Sequence, residues 1–135
     1  MTFAAIDTNV LVAALLTKHA DAATARVLRA SLDGRVAMLV SAEILAEYRE
    51  VLARPKLQLP AAQVAEILAA AEQSGVGTGR VASEWAFPDE SDRVFYEVAL
   101  AGRVFGAMLV TGNLRHYPAA DFVVSPARFC EIAGL

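Results

Sequence analysis

The sequence predicts an α/β fold built on a mostly parallel sheet. Short apolar runs of strand character, "FAAI", "RVAMLV" and "GAMLVT", alternate with longer stretches of helical spacing along the 135 residues. Gly and Pro mark the boundaries of that alternation. Strands separated by helices of this length pair in parallel through right-handed crossovers.

Each element follows from its local chemistry. "FAAI" forms a first strand, Thr8 or Asn9 caps the helix after it, and residues 21–30 make a second helical stretch. "RVAMLV" is the second strand. Ser41 caps "AEILAEYREVLAR", where Ile44, Leu45, Tyr48, Val51 and Leu52 keep helical spacing and Glu43, Glu47 and Glu50 line another stripe. Pro55 ends that helix. "PAAQVAEILAAAEQSG" opens on Pro and closes on Gly, the asymmetry expected of a helix. The following "GVGTGR" lacks the Lys-Ser/Thr ending of a phosphate loop and is a connector, and "RVASEW" is a short strand. After Pro88 come the acidic turn "DESD", the helix "RVFYEVALAG", the strand "GAMLVT", the loop "GNLRHYP", the strand "DFVVS" and a last helix from "PARF".

Composition narrows the classes. No linker divides the chain, so residues 1–135 are expected to form a single domain. The hydrophobic fraction is 56%, yet charges interrupt every apolar run before the ~18 residues a bilayer span needs, so no membrane association is expected. The start has no basic segment, apolar run and small-residue cleavage site of a secretory leader, and the single cysteine, Cys130, has no internal disulfide partner and suits a small core position; a cytoplasmic setting follows. A net charge of −3 argues against coating nucleic acid through bulk positive charge, although local patches remain open. With only His19 and His116 and no companion cysteines, a zinc site is not expected.

One residue sits badly in this pattern. In "TFAAIDTNVLVAALL" Asp7 interrupts an otherwise apolar segment, and an ionised acid among buried side chains costs several kcal/mol unless something pairs with it. In open parallel sheets ligands collect beyond the carboxyl ends of the strands. The polar residues there are Asp7, Thr8 and Asn9 after the first strand, Ser41 after the second, and Thr111 with Asn113 after "AMLV". Asp89, Glu90 and Asp92 begin a helix feeding the same sheet, and Glu47 lies nearly two turns beyond Ser41. Carboxylates brought together repel one another unless a divalent cation neutralises them, and hard oxygen ligands suit Mg²⁺ or Mn²⁺. Each residue alone also has a structural reading: Asp7 or Asp89 as a helix cap, Asp92 as a first-turn acid, Glu47 as part of a solvated face.

Taken together, "IDTNVLVAAL", "SAEILAEYREVLARPK" and "DESDRVFYEVALAG…LVTGNLRHYP", in that order and spacing, resemble the PIN-domain family over nearly the whole chain. The resemblance is nearest to the branch described as toxins of toxin–antitoxin pairs, relatives of VapC-like ribonucleases. It implies a three-layer α/β/α sandwich and an Mg²⁺- or Mn²⁺-dependent endoribonuclease acting on RNA, with a cognate antitoxin and a homodimer as expected partners. The family's first acid falls on Asp7, its helix acid on Glu47, its third on Asp92, and its fourth polar position on Asn113, where many members carry Asp. That departure removes one negative charge and puts a second metal in question.

In this reading Asp7, Glu47 and Asp92 hold the metal, and Asn113 supplies a neutral oxygen or hydrogen-bonds water or phosphate. Thr8, Asn9 and Thr111 orient the carboxylates, while Asp89 and His116 remain further candidates around them. Setting aside the three ligand acids leaves twelve acids against twelve bases, so basic patches for RNA are possible. Arg49, Arg54, Lys56, Arg93 and Arg115 lie in or near the motif segments, and Tyr117 can stack an unpaired base. Two alternatives stand beside this one. A strand ending in "DTN" also suits a haloacid-dehalogenase-like phosphatase, although the second Asp of that pattern is Asn9 here. A catalytically silent, protein-binding PIN module is the other.

Overall fold

The computed structural model describes residues Met1–Leu135. Five strands form one all-parallel sheet: β1 (Thr2–Ile6), β2 (Val36–Val40), β3 (Val76–Gly77), β4 (Met108–Val110) and β5 (Val123–Val124), in the order β3-β2-β1-β4-β5. Six helices connect and flank them: α1 (Thr8–Leu16), α2 (Ala23–Leu32), α3 (Ala42–Leu52), α4 (Ala61–Ser74), α5 (Arg93–Ala101) and α6 (Pro126–Ala133). The expected α/β sandwich is present. From β1 the chain winds outward through β2 to β3, then returns across β1 to β4. Right-handed crossovers therefore place α5 on the face opposite α1 and α2.

Burial explains the composition of the strands. Ala4, Ala5 and Ile6 of β1 are all fully buried, as befits a central strand covered on both faces. Tyr48, Phe95 and Phe129 are the largest fully buried side chains, and Cys130 lies in the same core, as its reading from sequence anticipated. No helix is long and apolar enough to cross a membrane.

Two expectations need correction. The first helix is capped by Asp7, not by Thr8 or Asn9: the Asp7 carboxylate accepts from the Asn9 backbone N–H at 3.4 Å. The third strand is not "RVASEW" but Val76–Gly77, inside the stretch read as a connector. Gly75 makes this possible. A Cβ there would lie 2.2 Å from the Ala71 carbonyl oxygen and 2.6 Å from Val40 Cγ2, so only glycine lets α4 turn directly into pairing beside β2. Gly75→Ala should lower stability by about 1–3 kcal/mol through this overpacking. An unchanged urea midpoint would show that the close approach is not needed.

Candidate functional site

The switch in strand order falls between β1 and β4, where parallel α/β sheets place ligands beyond the strand ends. Asp7 follows β1 and Thr111 follows β4, and the Asp7 N–H donates to the Val110 carbonyl at 2.9 Å. The two side chains consequently meet. Thr111 Oγ1 donates to Asp7 Oδ2 at 2.8 Å, and Tyr117 OH donates to the same oxygen at 2.9 Å. Thr111 Oγ1 also accepts from the Asn113 N–H at 3.0 Å, which fixes the hydroxyl toward Asp7.

Asp7 is buried and has no Lys or Arg partner among the ion pairs of the fold. Burial pushes its carboxyl above the usual range, and the bonds from Thr111 and Tyr117 only partly offset this. The segment after β1 thus carries an acid whose charge the protein solvates with hydroxyls but does not neutralise. Tyr117→Phe would withdraw one of those hydroxyls from a buried charge, a loss worth about 1–3 kcal/mol. Chemical denaturation at neutral pH should show it; parental stability would mean that Thr111 alone suffices.

Glu47 reaches the same region from α3. Ser41 caps that helix, its Oγ accepting from the Ile44 N–H at 3.1 Å. Tyr48 OH then anchors it by donating to the Ile6 carbonyl at 2.5 Å, at the very end of β1. The preceding residue, Glu47, is thereby set beside Thr8, whose hydroxyl donates to Glu47 Oε2. Burial raises the Glu47 carboxyl, and the negative charges of Asp7 and Asp89 add to the rise.

Asp92 closes the third side. It ends a 3-10 turn (Glu90–Asp92) capped by Asp89, whose Oδ1 accepts from the Ser91 N–H at 3.0 Å and its hydroxyl at 2.8 Å. Burial, then repulsion from Asp7 and Asp89, pushes the Asp92 carboxyl up to about 6, against a contact with His116 Nδ1 at 3.3 Å. Glu47 and Asp92 therefore each feel the negative charges of Asp7 and Asp89. Asp7, Glu47 and Asp92 do not form a closed ligand set: Glu47 is turned to Thr8 and Asp92 to His116, and no three His, Cys, Asp or Glu side chains meet at metal-holding spacing.

The remaining candidates divide. Asn113 is exposed, its Nδ2 lying 3.5 Å from His116 Nδ1, and Arg115 is exposed nearby in the 3-10 turn Leu114–His116. The Asn9 side chain does not reach a carboxylate; its Oδ1 accepts from the Gly112 N–H at 3.2 Å and ties α1 to the loop after β4. Tyr117 cannot stack a base as expected, because it is buried and its hydroxyl is committed to Asp7. The basic patch is also smaller than anticipated. Arg49 pairs with Glu72, Arg54 with Glu50 and Arg93 with Glu90, leaving only Lys56 and Arg115 of the five outside an ion pair. Beside Glu47 lies a cleft of about 350 Å³, lined by Glu43, Glu47, Arg80, Glu90, Ser91 and Arg93.

Two contributors were not legible as such. Tyr117 binds Asp7 from a position distant in sequence. Glu97 is buried on α5 and accepts from Arg80 and Ser83; its one sequence signal is a charge on a helix face otherwise made of Val94, Phe95 and Val98.

Neither a curated protein nor a solved structure matches the chain significantly. The family described as PIN domain does match, over residues 4–115, a span that includes Asp7, Glu47, Asp92, Asn113 and Arg115 and stops before Tyr117. The chain belongs to the PIN-domain family, whose members are generally nucleases.

Proposed function

We propose that this protein is a metal-dependent endoribonuclease, the toxin of a toxin–antitoxin pair, acting in the cytoplasm as a homodimer of a single-domain chain. The observation that carries the nuclease reading is the buried Asp7, set at the strand-order switch with two hydroxyl donors and no cationic side chain to neutralise it. The toxin role, the antitoxin and the dimer rest on the resemblance of the three motifs to the VapC-like branch.

Chemically, hard carboxylate oxygens suit a divalent cation. Burial disfavours ionisation of all three acids, Asp7 disfavours it further at Glu47 and Asp92, and a positive charge would relieve both, although the side chains would have to close on the ion from their present spacing. Asp7, Glu47 and Asp92 would hold Mg²⁺ or Mn²⁺, which when bound supplies a Lewis acid for phosphodiester hydrolysis. The chain's own groups do the rest. Thr111 and Tyr117 keep Asp7 Oδ2 fixed, Thr8 keeps Glu47 fixed, and the burial of Tyr117, Phe95 and Phe87 limits water behind the acids. His116 contacts Asp92 and can hold its carboxylate or pass a proton to a leaving oxygen. Asn113 and Arg115, both exposed, would bind phosphate or water without adding negative charge. The phosphatase alternative loses ground because Asn9, where that chemistry needs an acid, spends its side chain on Gly112.

The stripe on α3 tests the assignment. Glu43 and Glu50 face Arg80 and Arg54, whereas Glu47 faces Thr8. Glu47→Gln should abolish RNA cleavage while Glu43→Gln and Glu50→Gln keep most of it; equal losses at all three would refute the role given to Glu47.

A further inference from the structure

Residues 78–87 leave β3 and approach the acidic turn without helix or strand, so side chains must fix them. One buried carboxylate does most of this. Glu97 Oε1 accepts from Arg80 Nε at 3.0 Å and Nη2 at 2.8 Å, and Oε2 accepts from the Ser83 N–H and hydroxyl, both at 2.8 Å. The Glu97 carbonyl also accepts from the Val81 N–H at 3.0 Å. Arg93, one turn earlier on α5, lies 3.8 Å from Glu97 Oε2 and donates to the carbonyls of Ser83 and Trp85, each at 2.7 Å. Its guanidinium covers the Phe87 ring at 4.7 Å, and Phe87 meets Tyr117 edge-on at 6.0 Å. The strap thus reaches the site twice: Phe87 backs the tyrosine bound to Asp7, and the chain beyond it turns into Asp89 and Asp92.

We propose that Glu97 is a positioning residue: its buried carboxylate pins the strap through Arg80, Ser83 and Arg93, and so fixes both Asp92 and the Tyr117 hydroxyl on Asp7. The catalytic half of this proposal rests on the nuclease reading above. A hydrophobic side chain at 97 would continue the apolar face of α5, and buried ion pairs are poor sources of net stability. What the charge supplies is geometry, since four directional bonds specify where the strap lies. Burial pushes the Glu97 carboxyl up, but the bonds from Ser83 and Arg80 outweigh this and hold it low, so the acceptor stays ionised at neutral pH.

Trp85, the sole tryptophan, lies on the strap against Phe87, with ring centroids 4.8 Å apart, and reports its docking directly. Glu97→Gln keeps the shape but cannot accept from all four donors. It should still melt cooperatively, shift Trp85 emission to the red, raise acrylamide quenching, and lower kcat on RNA roughly ten- to a hundredfold with KM nearly unchanged, the scale of a small misplacement of reacting groups. Ser83→Ala, which removes the hydroxyl's bond to Glu97 and the 3.2 Å bond it accepts from Arg93 but keeps the backbone N–H on Glu97, should move emission and kcat the same way by less; it carries the test if Glu97→Gln does not fold. An unchanged Trp85 signal, or a Trp85 shift with full kcat, would overturn the proposal. Should the wild-type protein show no metal-dependent cleavage, the nuclease reading fails by itself, and the Trp85 measurement still decides whether Glu97 pins the strap.

Discussion

Asp7→Asn should reduce RNA cleavage by roughly 10²–10³-fold or more, the scale on which loss of one preorganised electrostatic group is felt, and in chelator at neutral pH the variant should melt above the parent. The second effect separates this account from a purely structural one. Burial raises the Asp7 carboxyl above its unfolded value, so its contribution to stability is complete below the unfolded pKa and is lost as pH rises through the folded one. At neutral pH the ionised group is a burden that the fold tolerates. Asn keeps the shape and an oxygen for Thr111 and Tyr117 while removing the charge. Loss of activity with a gain in metal-free stability is the combination expected of a functional acid. Parental cleavage, or a lower melting temperature in chelator, would contradict the role given to Asp7.

Mn²⁺ should raise the melting temperature by on the order of 10 °C at a hundredfold excess over its Kd, where mass action adds about 2.7 kcal/mol to a chain of this size. The rise should depend on pH in a defined sense. With the Asp92 carboxyl pushed up to about 6, its favourable contribution to the metal-free fold is present below its unfolded value near 4 and disappears as pH rises through about 6. Cation binding opposes protonation. The difference between melts in Mn²⁺ and in chelator should therefore be small at pH 5 and large at pH 7.5. The paired difference is the quantity to follow, because Glu97 and Asp89 are held low and both forms lose stability together as pH falls. A shift equal at the two pH values would remove Asp92 from the ligand set, and no shift at either would argue against cation binding at these acids.

Much of the architecture was readable because it is written in local pattern. The apolar runs of β1, β2 and β4 and the Ser41 cap of α3 fall where periodicity places them. The one carboxylate that broke an apolar run, Asp7, stands at the strand-order switch. β3 was not readable: two residues long, it depends on the absence of a Cβ at Gly75 against Val40, a contact between distant segments. Tyr117 was misread for the same reason. Nothing near it in sequence shows that its hydroxyl turns inward to Asp7, and an aromatic in a polar loop suggests an exposed platform. The arginines were overcounted as free cations because their partners lie on other elements, as with Arg49 of α3 and Glu72 of α4.

Incubating the purified chain with a mixed RNA pool in Mn²⁺ and in chelator, and mapping the ends produced, decides whether this PIN domain cleaves RNA with a divalent cation held by Asp7, Glu47 and Asp92. Defined new ends in Mn²⁺ and intact RNA in chelator are the expected result. Equal cleavage under both conditions, or intact RNA in both, would contradict it.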